Sequence, residues 1–305
     1  MGEHIVTLSR RIFVSSSFSV FVLPSCSQMK PPPDIDFSAI QAASGGAMGV
    51  CAFDMTSGNI YRHHSFQRFA MCSSFKWLLG ALILEKVEEK EETLERLVRI
   101  SADDLVFHSP VVEKSLPKGQ LTVEELCRAA IGTSDNAATN ILLASLGGPE
   151  GFTARLRQHG DKVTRLDRYE PFLNENAVGD RRDTTTPMAM MLLLKDYLFG
   201  KSLERGSQII LRGWMTAANT GMSRLRAGIP AGWVSGDKTG TSTSKANNDV
   251  AFAIAPEVGV YEKSFGPVVI ASFLNVPNPL SAEADAIHAK IAQEIMQAYA
   301  VKASY

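Results

Sequence analysis

Two kinds of segment occur along the chain, and their order limits the folds open to it. Gly46 to Asp54 and Asn59 to His63 read as two strands around a Thr-Ser-Gly-Asn turn. Strand patterns then disappear and return only at Val234 to Thr241, Asn248 to Pro256 and Pro267 to Val276. Between them, residues 121 to 220 are largely helical, with a capping-box signal at Thr122-Val-Glu-Glu. A hairpin on its own is marginal in water. Early and late strands are therefore expected to join in one sheet, with the helical stretch as an insertion: an α/β fold with an inserted all-helical domain. A last helix, about Ser281 to Ala300, carries Ile287, Ile291, Ile295 and Tyr299 on one stripe. No internal repeat is seen.

Composition narrows the function more than the fold. With 45% hydrophobic and 21% charged residues over 305 positions, the chain can build a sizeable core and is not a disordered segment. Its 31 basic and 32 acidic residues leave a net charge of −1, which implies no nucleic acid or other polyanion partner. No run of eighteen apolar residues marks a membrane span. The one close histidine pair, His63-His64, would point to opposite faces of a strand. No metal centre or organic cofactor is expected.

Residues 1–26 read as an export signal. A charged start is followed by an apolar stretch with interspersed serines as far as Leu23. Arg10-Arg11 before Ile12-Phe13 resembles a twin-arginine signal; the alternative is an N-terminal strand with a chance arginine pair. Leu23-Pro24-Ser25-Cys26 resembles a lipoprotein cleavage box, although Pro24 is unusual in one. If it is used, Cys26 carries the lipid and is the protein's only attachment to a membrane. Residues 27–35, with Pro31-Pro32-Pro33, read as a stiff linker. The expected location is therefore periplasmic, either free or lipid-anchored. Cys26, Cys51, Cys72 and Cys127 make little disulfide framework for an exported chain.

The chemistry centres on a helix start. Ser73-Ser-Phe-Lys76 opens a stretch in which Phe75, Leu78, Leu79, Leu82, Ile83 and Val87 recur at helical spacing. Residues i and i+3 are neighbours on a helix, so the amine can reach the hydroxyl. A helix N-terminus adds free N–H groups and partial positive charge, a setting that can activate a nucleophile and hold an oxyanion. Alone, the pattern says little, because Ser-x-x-Lys recurs at Ser27-Lys30, Ser115-Lys118, Ser235-Lys238 and Ser242-Lys245.

Its company carries the argument. Ser134-Asp-Asn136 falls on a turn after an apolar helix, and Lys238-Thr-Gly240 falls in a strand. Each tripeptide should arise by chance in fewer than roughly one in ten chains of this length. Taken singly, the first could be an ordinary helix cap and the second an exposed strand with a bulge glycine. In this order after Ser73-x-x-Lys76, they resemble the penicilloyl-serine transferase superfamily of serine β-lactamases and penicillin-binding proteins. Glu170-Pro-Phe-Leu-Asn174, in a connection from Gly160 to Asp183 with little periodicity, narrows the resemblance to the class A serine β-lactamases. The likeness runs from about Gly46 to the C-terminus.

That resemblance implies five mainly antiparallel strands flanked by helices, with residues 36–72 and 221–305 forming the sheet domain and residues 73–220 the helical one. It makes Ser73 the acylated nucleophile and Lys76 a partner in its activation, either Lys76 or Glu170 taking the proton. Ser134 relays a proton toward the β-lactam nitrogen, Asn136 binds the substrate's amide side chain, and Glu170 with Asn174 activates the deacylating water. Backbone N–H groups of Ser73 and Thr241 form the oxyanion hole. Lys238, Thr239 and Thr241 receive the substrate carboxylate, and Ser242 lines the same strand.

Many members add an arginine from the neighbouring strand, which here has none; Arg224 matches the position from which others supply that charge, the alternative being a surface arginine. Arg168 and Asp183 match an ion pair closing the omega loop. Cys72 matches a disulfide cysteine of the carbapenemases, whose partner position is Ser242 here, so carbapenem hydrolysis is not expected. Cys127 likewise faces Gly80 where others have its partner, and both thiols are expected buried. The implied activity is β-lactam hydrolysis of penicillins and some cephalosporins by a monomer without an obligate protein partner. The alternatives are a D-alanyl-D-alanine peptidase or transpeptidase, and a β-lactam receptor acylated once.

Overall fold

The computed structural model describes residues 1–2, 35–175, 177, 179–256 and 265–303, the last four by backbone alone. Apart from residues 1–2, the expected signal, Cys26 and residues 27–34 of the linker lie outside the described residues. The elements below belong to one unit, Pro33–Tyr305.

Early and late strands do share one sheet. Its five strands run, from one edge to the other, Ile60–His63, Ala47–Asp54, Val268–Asn275, Ala246–Ile254 and Val234–Thr241. Every pairing is antiparallel. Ala47–Asp54 therefore lies directly beside a strand more than 200 residues later, pairing Val50 with Ser272 and Ala52 with Ile270. The strand carrying Lys238, Thr239 and Thr241 is the opposite edge.

Period-2 alternation sends the central strand's side chains into two cores. Val269, Ala271 and Phe273 join the larger cluster with Trp77, Leu82, Leu126, Leu143 and Trp214 of the helices. Val268, Ile270 and Leu274 face the other way, onto Phe37, Ile40 and the Ile291, Ile295 and Tyr299 stripe of the last helix, Ala282–Ala303. Ser272 belongs by position to this second face.

Helices form where the sequence signals them. Thr122 caps Val123–Gly132, accepting from Glu125 N at 3.0 Å while the Glu125 carboxylate accepts from Thr122 N at 2.7 Å. The helix after Ser73 departs from expectation. Cys72–Phe75 is a 3₁₀ turn, and the α-helix proper runs Lys76–Glu88. Cys72 is in the left-handed region at φ 47°, sparsely occupied by residues with a side chain. The chain thus bends sharply at the serine before the helix begins.

Candidate active site

The 3₁₀ turn places Ser73 against the sheet's edge strand. Contact this close depends on Gly240: a Cβ there would sit 2.4 Å from Met71 O, 2.7 Å from Ser74 N and 3.2 Å from Ser73 N. Any side chain at 240 would drive strand and turn apart. Gly240 pairs regularly with Asn248, and Lys238 is wholly buried. The Lys-Thr-Gly segment is therefore neither exposed nor bulged. Asn248 ties the next strand to the same turn, donating to Ala70 O at 2.8 Å and Met71 O at 3.2 Å.

Ser134 follows the Val123–Gly132 helix at φ 60°. Asp135 caps the next helix, Asn136–Ser145, accepting from Ala138 N at 2.9 Å, and its other oxygen accepts from Val111 N and Val112 N at 2.8 and 3.1 Å. The cap reading of this tripeptide is thus correct for Asp135, and it leaves Ser134 and Asn136 for other work. Asn136 donates to Phe107 O at 2.7 Å and presents Oδ1 to Lys76 Nζ.

Glu170 lies within the segment from Gly160 to Asp183, whose neck is closed by Arg168 Nε on Asp183 Oδ2 at 2.6 Å. Asp183 Oδ1 also accepts from the backbones of Asp167 and Arg168 at 2.7 and 3.0 Å. Asn140 holds the backbone of Glu170 from both sides, donating to its O at 3.0 Å and accepting from its N at 2.9 Å. The Glu170–Pro171 peptide is cis.

These segments converge on a short circuit of hydrogen bonds. Ser73 Oγ donates to Glu170 Oε1 at 3.3 Å, and Lys76 Nζ pairs with the same oxygen at 2.9 Å. The amine and the serine thus meet on one carboxylate oxygen, a third partner that helical spacing alone does not suggest. Asn174 Nδ2 holds the other oxygen at 2.7 Å. Lys76 Nζ also donates to Ser134 O at 2.9 Å and Ser134 Oγ at 3.4 Å. Lys238 Nζ reaches that hydroxyl from the opposite side at 3.2 Å. An oxygen accepting from two ammonium groups has its own hydrogen free to point elsewhere. Burial pushes the Lys76 ammonium below its ordinary range, against the pull of Glu170. Lys238 is pushed down to about 7 by burial, reinforced by the charge of Lys76.

Ser73, Ser134, Asn136, Asn174, Thr239 and Thr241 open onto a cavity of about 450 Å³, with Arg224 and Ser242 also in its wall. A larger cleft of about 650 Å³ lies elsewhere, beside Arg68, Arg182 and Lys245, without Ser73. Size does not identify the site; chemistry does. Arg224 is 7% exposed, so it is no surface arginine. Its Nη2 donates to Thr241 Oγ1 at 2.9 Å, Nη1 to Asn248 O at 2.7 Å and Nε to Asp285 Oδ1 at 2.7 Å. Ser242 is engaged in the hairpin after the strand, accepting from Lys245 N and Ala246 N at 3.2 and 3.0 Å. Cys51 and Cys127 are buried free thiols, and Cys72 is buried too. Among the described residues no group of three His, Cys, Asp or Glu side chains is placed to hold a metal.

Several members of the site carry no motif signal. Asn140 sits one turn after Asn136 on a helix, a spacing from which a second inward residue could have been read. Thr220, which accepts from Thr239 Oγ1 at 2.8 Å, and Asp285 have no such local mark. Asp237, beside Lys238 in sequence, is paired with Arg226, and burial pushes its carboxyl up.

The sequence profile of the β-lactamase enzyme family matches residues 34–299. β-Lactamase FAR-1 of Nocardia farcinica (strain IFM 10152) is 40% identical over 263 residues, spanning 86% of this chain and 82% of that protein. β-Lactamase Toho-1 of Escherichia coli is 38% identical over 239 residues, 78% of this chain and 79% of that one. Among solved structures, an ancestral class A β-lactamase superposes with a TM-score of 0.81 at 43% identity, covering 86% of this chain and 98% of the other.

Proposed function

We propose how the residues of this site divide the work in a chain that belongs to the class A serine β-lactamases and hydrolyses the β-lactam amide. Ser73 Oγ attacks the lactam carbonyl as its proton passes to Glu170, the carboxylate it already faces at 3.3 Å. Lys76 supports the transfer by holding that oxygen and the Ser134 hydroxyl together. The N–H groups of Ser73 and Thr241, the latter next to Gly240 where strand and turn meet, receive the developing oxyanion. As the C–N bond breaks, Ser134 gives its proton to the lactam nitrogen, and the ammonium groups on either side resupply it. Lys76, left neutral by that resupply, takes the serine's proton from Glu170, and the freed carboxylate deprotonates a water held with Asn174; the water attacks the ester and its proton passes to Ser73 Oγ as the serine leaves.

Lys238, Thr239 and Thr241 receive the substrate carboxylate, with Arg224 supplying charge behind Thr241. Asn136 receives the amide side chain. Ser242 contributes through its place in the wall, its hydroxyl already holding the hairpin. Substrates are penicillins and some cephalosporins. The chain works as an exported, periplasmic monomer in two structural parts, residues 36–72 with 221–305 and residues 73–220. A lipid on Cys26 would anchor it.

The observation that carries this reading is one carboxylate, Glu170, in contact with the nucleophile, its lysine and Asn174 at once. A peptidase or a receptor acylated once shares the serine and lysine motifs but has no use for that third group. The test mixes the protein with excess benzylpenicillin and counts moles hydrolysed per mole of enzyme. Many turnovers, lost in Ser73→Ala, are expected. One stoichiometric burst with a lasting adduct on Ser73 would return the assignment to a receptor or peptidase.

A further inference from the structure

We propose that His288, buried in the last helix and away from the cavity, is a positioning residue for Arg224 and so for recognition of the substrate carboxylate. The proposal rests on the reading of Arg224 given above.

The argument follows donors and acceptors through the second core. His288 is wholly buried, on the helix whose Ile291 and Ile295 belong to the second core. Its ring makes polar contacts on both nitrogens. Nε2 lies 3.1 Å from Asn247 O and 2.8 Å from Asn247 Oδ1. A carbonyl oxygen only accepts, so Nε2 carries the hydrogen. Burial, reinforced by the charge of Arg224, pushes the imidazole down to about 3, so the ring is neutral and Nδ1 is an acceptor. It faces the Ser272 hydroxyl at 2.8 Å, which therefore donates. One tautomer satisfies all three partners.

That tautomer fixes the next group. With Oδ1 of Asn247 accepting from the ring, its Nδ2 is turned toward Pro279 O at 2.7 Å and Asp285 Oδ1 at 3.0 Å. A flipped amide would set oxygen against a carbonyl and a carboxylate, leaving buried acceptors without donors. Asp285 Oδ1 is the same oxygen that accepts from Arg224 Nε at 2.7 Å, while Oδ2 accepts from Ser223 Oγ at 2.7 Å. Arg224 Nη2 then reaches Thr241 Oγ1 in the cavity wall. The path Ser272–His288–Asn247–Asp285–Arg224–Thr241 is hydrogen-bonded throughout, with hydroxyl, imidazole and amide oriented by one another and the guanidinium donating at its far end. The histidine sets the sense of the Asn247 amide, the amide seats the carboxylate, and the carboxylate aims the guanidinium.

The experiment compares wild type, His288→Phe, Arg224→Ala and the double variant on benzylpenicillin and on its methyl ester, which lacks the carboxylate charge. For His288→Phe the KM for the acid should rise about three- to tenfold with kcat nearly unchanged, while the ester is unaffected. In the Arg224→Ala background the second substitution should add nothing. His288→Gln, which retains a donor toward Asn247, should recover part of the loss. Equal losses on acid and ester, or the same loss with and without Arg224, would make His288 a packing residue only and overturn the proposal. If Arg224→Ala separates acid from ester as well as wild type does, the carboxylate reading itself fails and the proposal with it. Should His288→Phe not fold, Ser272→Ala asks the same question, and an unchanged KM for the acid there overturns the proposal as well.

Discussion

The two walls of the cavity follow opposite electrostatic plans. On one, Ser73, Lys76, Glu170 and Asn174 form a closed circuit in which a buried cation meets a buried anion at 2.9 Å. On the other, Lys238 donates to the neutral Ser134 Oγ and Thr239 O with no carboxylate of the described residues in contact, while Arg224, paired with Asp285 on its far side, turns Nη2 to Thr241. A balanced wall moves protons internally without needing anything from solvent. A wall whose lysine touches no carboxylate is open to an anion from outside. The first plan suits the chemical steps, and the second suits recognition of an acid.

The contrast can be tested from either side. The largest effect is expected at Glu170: Glu170→Ala should lower kcat by about 10²- to 10⁴-fold. With Lys76, no longer paired, taking the serine's proton in its place, the variant's mass spectrum with benzylpenicillin should show an adduct on Ser73, and turnover at the wild-type rate would end the distinction between the walls. Next comes Lys238→Ala, which removes the central cation of the recognition wall. Its kcat/KM should fall about 10²- to 10³-fold for benzylpenicillin and much less for the methyl ester; equal falls would place Lys238 on the chemical side. Arg224→Ala should fall by about ten- to a hundredfold, mostly in KM, and an unchanged value would leave Thr241 to act alone.

The smallest effect is a pH dependence with a definite sign. A lysine whose pKa is lowered carries its charge below that value and loses it above. With Lys238 near 7, kcat/KM, which reports the free enzyme, should drop about tenfold between pH 6 and pH 8. The bound carboxylate stabilises the ammonium, so the same limb in kcat should appear at higher pH. A flat kcat/KM profile over that range would show that the recognition wall keeps its charge without a ligand.

What could be read from the sequence was local or repeated. The Thr122–Glu125 cap spans four residues, and the strands of the sheet announce themselves by pattern; both stand where expected. The motif residues also gather as a group around one cavity. The rest depends on pairs far apart in the chain. That Ser73 and Lys76 meet through Glu170, 97 residues beyond the serine, follows from where the omega segment folds back, and no spacing near the serine encodes it. The turn at Cys72, likewise, lies against Gly240 of the edge strand, a residue far along the chain. Asp285 and His288 lie in the last helix with no local mark in the sequence. Their roles come from the strand Ala246–Ile254 lying under them, which only the assembled sheet supplies.

The clasp that Asn140 makes on Glu170 has a practical side. It grips the backbone alone, at N and O, and leaves the carboxylate to other partners. The scaffold and the reactive group at this position are thus held by separate bonds, so the side chain can be exchanged while the loop stays seated. With the roles proposed above, a chain altered only there would be a capture reagent. It would take up one antibiotic molecule, keep it as a stable ester, and report by its mass which compound a sample contained.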